Sequence, residues 1–179
     1  MNSILPTIYL IILFTTLFII VAVLLKQILR KKDLEQDLFE LQKKLRLGVA
    51  TPLDHYSLGV IYLSKKLFDE AILQFSNALK NWDKSDIEGL SNLYNTIGFT
   101  YFESEQFDVS IYYYKEAITL NPAYTIALNN LAYSYEKKKM FQDAIEVYSK
   151  VLSYDVNNSI ANEKLLSLKT KVKTRDDRI

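Results

Sequence analysis

The sequence contains few of the side chains that usually carry chemistry, but many aromatic rings. There is no cysteine, which excludes disulfides, thiolate zinc sites and thiol nucleophiles. The only histidine is His55, and because no second ligand or acid–base partner is evident for it, we assign it a structural role. The stretch 97–122 instead concentrates seven rings: Phe99, Tyr101, Phe102, Phe107, Tyr112, Tyr113 and Tyr114. Such rings could form a ligand cage, a platform for nucleic-acid bases or an ordinary core, and their spacing has to decide.

The charged residues argue against several classes of function. The net charge is +1, and no basic stripe interleaved with aromatic residues is present, which disfavours nucleic-acid binding. Glu103, Glu105 and Asp108 lie close together, but their spacing matches no calcium-binding loop, so we expect a solvated charge cluster. We therefore predict a protein that is not an enzyme and has no cofactor, no metal and no small-molecule substrate.

An uncharged apolar run extends from Ile4 to Leu25. As a helix it would be roughly 33 Å long, enough to cross a hydrocarbon core of about 30 Å. A cleaved signal peptide fits poorly, because no basic segment precedes the run and no small-residue cleavage site follows it. Basic residues follow at once at Lys26, Arg30 and the next two positions, so the positive-inside rule keeps the carboxyl side in the cytoplasm or stroma. We predict a single-pass anchor over residues 1–30, with the amino terminus outside or in a lumen.

Residues 31–50 predict a helical connector. An apolar stripe at helical spacing runs along this segment, formed by Leu34, Leu38, Leu41 and Leu45. The stripe could pair two copies as a short coiled coil, or pack on the following domain as a cap, which we favour. Gly48 is expected to end this helix. Thr51 and Pro52 are expected to begin the next one, as its N-cap and first helical residue.

A repeat occupies the centre of the chain. The segment 94–122, "YNTIGFTYFESEQFDVSIYYYKEAITLNP", aligns without gaps with 128–156 at an offset of 34 residues, and a further copy lies at 55–83. The offset from that first copy is 39, which leaves about five extra residues near 80–90. Small residues recur at two places in every copy, namely Gly59, Gly98 and Ala132, and Ala71, Ser110 and Ala144. A fixed period of this size is typical of a stacked repeat fold.

This pattern resembles the tetratricopeptide repeat, a pair of antiparallel helices. The resemblance implies an all-α fold: a right-handed superhelix of three helix-turn-helix repeats over 51–158 (about 52–85, 91–124 and 125–158). A capping helix and tail would follow at 159–179, and the transmembrane helix would precede the repeats. The recurring small residues would lie where the two helices of a repeat touch, and most rings would then be core. The family often has a glycine in the turn between the helices, and because this chain has none there, we expect differently wound turns.

The resemblance also implies a concave groove that binds protein, lined by the first helix of each repeat. The expected groove residues are Tyr56, Val60, Leu63, Asn92, Asn95, Phe99, Phe102, Asn129, Tyr133 and Glu136. Tyr56 and Val60 occupy the first two places of the basic clamp found in chaperone-binding members, so that mode of binding is disfavoured. Asn95 and Asn129 lie off the expected packing stripe, and an asparagine can pair with a peptide backbone as donor or acceptor. We therefore expect both to serve ligand binding and not folding.

One anchor followed by three such repeats resembles the small thylakoid-anchored tetratricopeptide proteins of plastids and cyanobacteria that help to assemble photosystem I. This implies a membrane-anchored scaffold with its repeats in the stroma and protein partners such as photosystem I subunits or assembly factors. Two alternatives remain open at this point. One is a membrane-tethered receptor for precursor or targeting peptides, and the other is a bacterial inner-membrane scaffold in envelope or enzyme-complex assembly.

Overall fold

The structure is a computed structural model that describes the backbone of residues 4–176 and the side chains of residues 6–171, so the end of the predicted tail lies outside it. All regular structure in the described part is helical. The helices are α1 Ile4–Arg46, α2 Pro52–Ser64, α3 Phe68–Asn81, α4 Ile87–Glu103, α5 Phe107–Leu120, α6 Thr125–Lys137, α7 Phe141–Tyr154 and α8 Ser159–Asp176. The chain divides into two compact units, one up to Val49 and one from Ala50 onward.

Helix α1 makes up most of the first unit and runs through the predicted anchor and connector without a break. By length and composition it could span a membrane. It ends at Arg46, and Gly48, the residue predicted to end it, follows two residues later with a φ of 68°. The amide of Val49 then donates to the carbonyl of Lys44 over 3.1 Å, which satisfies one of the last helical carbonyls. Glycine suits this position because it adopts a positive φ without steric cost.

The second unit is a stack of three helix pairs, α2 with α3, α4 with α5, and α6 with α7, closed by α8. This confirms the predicted tetratricopeptide architecture. Thr51 and Pro52 begin α2 as expected, since the Thr51 hydroxyl accepts from the amide of Asp54 over 3.1 Å. Ala161 and Leu168 of α8 are buried in the same apolar cluster as residues of α7. Helix α8 therefore covers the end of the last repeat.

Small residues allow the two helices of each pair to approach closely. A Cβ atom added to Gly98 would lie 2.8 Å from the ring of Tyr114 and 3.2 Å from the carbonyl oxygen of Ser110. One added to Gly59 would lie 2.5 Å from the ring of Phe75. Ala132 is the corresponding small residue on the first helix of the third repeat, and Ala71 and Ala144 are the small residues on the second helices of the first and third repeats. All three are fully buried. Each pair thus encloses one buried ring against a small residue, the rings being Phe75, Tyr114 and Tyr148.

The turns inside the repeats keep the usual winding of the family despite the missing glycine, so our expectation of differently wound turns is wrong. Lys66, Glu105 and Lys139 occupy equivalent positions and have positive φ values of 59°, 62° and 61°. In each turn the next amide bonds back to the helix, as in the 2.8 Å bond from the Gln106 amide to the Tyr101 carbonyl. This closure requires the left-handed conformation, which costs a residue other than glycine about 1–2 kcal/mol.

The extra residues between the first two repeats lengthen α4. This helix has 17 residues, against 13 in both α2 and α6, and it begins at Ile87, ahead of the second repeat predicted at about 91–124. Asp86 caps it by accepting from the amide of Gly89 over 2.8 Å. The indole of Trp82 donates to the other carboxylate oxygen of Asp86 over 3.1 Å. The inserted sequence therefore builds one additional, capped helical turn.

Candidate functional site

The expected groove residues lie on the first helices of the repeats, and we call the surface that they form the A-helix face. It comprises Tyr56, Val60 and Leu63 of α2, Asn92, Asn95, Phe99 and Phe102 of α4, and Asn129, Tyr133 and Glu136 of α6. Val60, Phe99 and Tyr133 occupy equivalent places and are 39%, 40% and 37% exposed. Three apolar side chains at the same place in successive repeats are therefore half in water. They offer a continuous row for another molecule to cover.

The first helices of adjacent repeats are joined across this face by side-chain contacts at equivalent positions. The hydroxyl of Tyr56 lies 3.4 Å from that of Thr96. At the equivalent place between α4 and α6, the side-chain nitrogen of Asn130 donates to Oδ1 of Asn95 over 3.0 Å. The ring of Phe102 lies 5.2 Å from that of Tyr133. The structure thus brings together the expected residues of α4 and α6, whereas Val60 and Leu63 extend the face on α2.

The asparagines are more structural than expected from the sequence. Asn95 is only 8% exposed, and its side-chain oxygen already accepts from Asn130. The expectation that it lies off the packing surface is therefore wrong, because α6 approaches closely enough to cover it. Asn92 is exposed, but its side-chain oxygen accepts from the hydroxyl of Tyr124 over 3.1 Å. Both residues hold α4 to the segment that begins the third repeat.

Asn129 differs from its counterpart Asn95. Its side-chain nitrogen makes a long contact of 3.4 Å with Oδ1 of Asn158. Its own Oδ1 is buried and has no hydrogen-bond partner among the described residues. A buried acceptor without a donor costs free energy comparable to a lost hydrogen bond. Asn129 is thus the asparagine on this face with an acceptor left to offer to a ligand.

The start of the face, in the first repeat, is occupied by packing contacts. The ring of Tyr56 lies 5.8 Å from that of Phe75 and 6.0 Å edge-on from that of Trp82. His55 lies beside it, with Nδ1 at 2.8 Å from the side-chain oxygen of Gln74 on α3. Because that oxygen can only accept, Nδ1 carries the proton. This bond fits the structural role assigned to the histidine.

Two lysines that the sequence reasoning missed lie close to the exposed ring of Tyr133. The ammonium of Lys137 lies 5.1 Å from the ring centroid, and that of Lys164, on α8, lies 5.0 Å from it. Glu136 accepts from the hydroxyl of the buried Tyr148 over 2.7 Å, and its other carboxylate oxygen lies 3.6 Å from the ammonium of Lys164. A signal for Lys164 does exist in the sequence. Thr96, Asn130 and Lys164 are spaced 34 residues apart, so extending the repeat period into α8 identifies it.

The remaining rings and the acidic cluster do not form a site on this face. The rings of Tyr101 and Tyr113 stack at 5.4 Å and pack against a buried apolar cluster of α3 and α4. Burial raises the pKa of Tyr113, and it raises the pKa of the fully enclosed Tyr114 much further. Asp108 pairs with Lys138 in the turn between α6 and α7. The part of the chain that the structure describes contains no group of three or more potential metal ligands.

Comparison with solved structures shows the same fold. MamA matches with a TM-score of 0.71 and 23% identity, covering 82% of this chain and 82% of that one. YrrB matches with a TM-score of 0.67 and 22% identity, covering 80% of this chain and 72% of that one. At these identities the likeness concerns the fold alone.

Comparison with sequences shows the family. A profile of the tetratricopeptide repeat matches residues 97–157. The ycf37 protein of Guillardia theta is 41% identical over the whole length of both chains, and that of Cyanophora paradoxa is 33% identical over 92% of this chain and 95% of its own. The chloroplastic tetratricopeptide repeat domain-containing protein PYG7 of Arabidopsis thaliana is 33% identical over 83% of this chain, which corresponds to 49% of PYG7. The chain therefore belongs to the tetratricopeptide-repeat family, and its homologues are the ycf37 proteins and chloroplastic PYG7.

Proposed function

We propose that the protein is a membrane-anchored scaffold whose A-helix face binds segments of protein clients during the assembly of photosystem I, on the stromal side of the thylakoid. It contributes no chemistry of its own. The observation that carries the proposal is the row of half-exposed apolar side chains, Val60, Phe99 and Tyr133, repeated at one place in three successive helices. Core packing alone gives no reason for such a row to remain in water.

The repetition of this row along the stack suits a polypeptide as the ligand. Repeated side chains at equivalent places meet a repeating ligand, and a polypeptide is the repeating ligand that tetratricopeptide proteins encounter. Two proteins with this fold support the idea. The first repeat domain of RPAP3 was solved bound to the HSP90 peptide SRMEEVD, and YrrB is described as having an unusual peptide-binding site.

The proposed location has two supports. Several homologues are ycf37 proteins, and PYG7 is chloroplastic. Helix α1 carries its apolar run first and a basic cluster from Lys26 to Lys32 directly after it. An anchor of this kind raises the effective concentration of the A-helix face beside clients in the membrane. We expect the protein to resist carbonate extraction from thylakoids and the repeats to be digested by protease added from the stroma. Repeats that are fully protected from that protease would contradict the orientation.

Co-purification tests the function itself. A tagged chain would be recovered from detergent-solubilised photosynthetic membranes, and its partners identified by mass spectrometry. We expect photosystem I subunits or assembly factors with the wild type and with Tyr112→Ser, since Tyr112 is an exposed ring on α5 that lies off the A-helix face. Phe99→Ser should lose them while its circular-dichroism melt stays close to that of Tyr112→Ser. Retention by Phe99→Ser, or recovery of precursor targeting peptides instead of photosystem subunits, would contradict the proposal.

A further inference from the structure

The end of the A-helix face nearest α8 differs chemically from the rest of it. Four residues meet there, and we call them the Tyr133 site: Asn129, Tyr133 and Lys137 of α6, and Lys164 of α8. The ring of Tyr133 is 37% exposed, and both ammonium groups lie about 5 Å from its centroid. Apart from Glu136, the other residues of the face are apolar, aromatic or neutral amides.

The positive charge at this site is only partly balanced. Glu136 is the nearby carboxylate, and its closer hydrogen bond is to the buried hydroxyl of Tyr148 at 2.7 Å, whereas Lys164 is 3.6 Å away. No carboxylate among the described residues pairs with Lys137, and its ammonium lies over the ring of Tyr133. One carboxylate against two ammonium groups leaves one positive charge for an anion from outside. The ring screens one side of both ammonium groups from water, so an anion there meets less solvent competition than at an open lysine.

An unsatisfied acceptor on the same helix specifies the ligand further. Oδ1 of Asn129 is buried and has no donor among the described residues. At the equivalent place one repeat earlier, Oδ1 of Asn95 receives its hydrogen bond from Asn130. The residue equivalent to Asn130 on α8 is Lys164, whose ammonium lies over Tyr133 instead. A polypeptide ligand would supply a donor for this oxygen through a backbone amide and a negative charge for the two lysines through an acidic side chain.

We propose that the Tyr133 site binds an aspartate or glutamate side chain within the client segment, with the carboxylate between Lys137 and Lys164 and a neighbouring backbone amide donating to Asn129. The proposal rests on the proposed function, because it assumes a polypeptide on the A-helix face. The acidic residue is internal to the segment and not its carboxyl terminus. Exposed apolar side chains lie on α4 and α6 outside the Tyr133 site, at Phe99 and Ile126 respectively. The bound polypeptide therefore has further surface to cover in addition to the place of the carboxylate.

The test begins with a displayed library of random 12-residue peptides, selected against the full chain in detergent micelles. We expect the selected peptides to be enriched in aspartate or glutamate next to apolar residues. One selected peptide is then synthesised with an amidated carboxyl terminus, together with a version in which the acidic residue is replaced by its amide. Wild-type protein should bind the acidic version roughly twofold to fivefold more tightly, as expected for one partly exposed charge pair. This preference should weaken as salt is added.

Variants assign the effect to the site. In Lys137→Gln with Lys164→Gln, the preference for the acidic peptide over its amide version should fall to about onefold. Lys115→Gln is the matched control, because Lys115 also lies over a tyrosine ring, that of Tyr135 at 5.8 Å, but belongs to α5. It should keep the full preference.

The outcomes separate this proposal from the one it rests on. If the wild type selects no peptide, or if Phe99→Ser binds the selected peptides as well as the wild type does, the proposed function of the face is wrong and the Tyr133 site falls with it. If binding depends on Phe99 but shows no acidic enrichment, or if the double lysine variant keeps the preference, the face binds polypeptide and this proposal alone is wrong. Loss of binding on amidation of the carboxyl terminus would overturn the internal position of the acid.

Discussion

Replacing the residue with positive φ in each repeat turn by glycine should stabilise the protein. The three positions are Lys66, Glu105 and Lys139, each with a φ close to 60°. The left-handed conformation costs a residue with a Cβ atom about 1–2 kcal/mol, and glycine avoids that cost but loses about 0.5–1 kcal/mol more chain entropy on folding. The net gain should therefore be about 0.5–1 kcal/mol for each turn. The three turns lie in different repeats and share no partner, so the triple variant should gain about 1.5–3 kcal/mol.

The matched control is alanine at the same positions. Both replacements remove the long side chain, but only glycine relieves the backbone, so the difference between the triple glycine and triple alanine variants isolates the effect of φ. The assay is a thermal melt of the repeat unit from Ala50 onward, followed by circular dichroism and by the fluorescence of Trp82, the single tryptophan. For a unit of this size each kcal/mol corresponds to about 3–5 °C. Equal melting temperatures for the two triple variants would show that these residues do not carry the positive φ, and would refute the reasoning.

Three further changes have defined outcomes. Gly98→Leu should lower the free energy of unfolding by about 1–3 kcal/mol or more, because even a Cβ atom there would meet the ring of Tyr114 at 2.8 Å, and an unchanged denaturant midpoint would contradict the packing. Asn95→Ala should cost about 0.5–1.5 kcal/mol in the same measurement, since the half-buried amide of Asn130 loses its acceptor, and a neutral result would restore the expectation from the sequence. Burial raises the pKa of Tyr114, and burial with the bond to Glu136 raises that of Tyr148, so the folded state holds these protons after the unfolded state has released them. Stability should therefore be present in full below about pH 10 and fall above it, with tyrosinate absorbance appearing together with unfolding, and early tyrosinate absorbance without unfolding would contradict it.

The sequence predicts the repeat architecture well because the constraints on packing are local and periodic. A small residue such as Gly98 and a large ring such as Tyr114 must recur at a fixed spacing if two helices are to touch and stack. The capped start of α2 is equally local, since Thr51 and Asp54 satisfy each other within one turn. The left-handed turn at Glu105 could not be predicted from residue type, because hydrogen bonds at the helix end impose a conformation that glutamate does not prefer.

The chemistry of the A-helix face depends on pairs of residues from different repeats, and this limited its prediction. The periodicity places Asn95 and Asn129 at the same position, yet one is paired by Asn130 and the other keeps a free acceptor. The difference arises because the residue that follows in the 34-residue series is Lys164, which lies over Tyr133. A capping helix is easily treated as a cover for the last repeat, whereas here it also contributes a charge to the candidate site.

Site-specific photo-crosslinking in photosynthetic membranes tests most directly whether the A-helix face holds the clients. A photoreactive phenylalanine derivative would replace Phe99 or Tyr133 on that face, and Tyr112 on α5 as a control with at least as much exposure. The proposed function predicts crosslinks to photosystem I subunits or assembly factors from positions 99 and 133, and none of them from position 112. Crosslinks to those proteins from position 112 alone would place the clients on the second helices of the repeats and contradict the function proposed for the A-helix face.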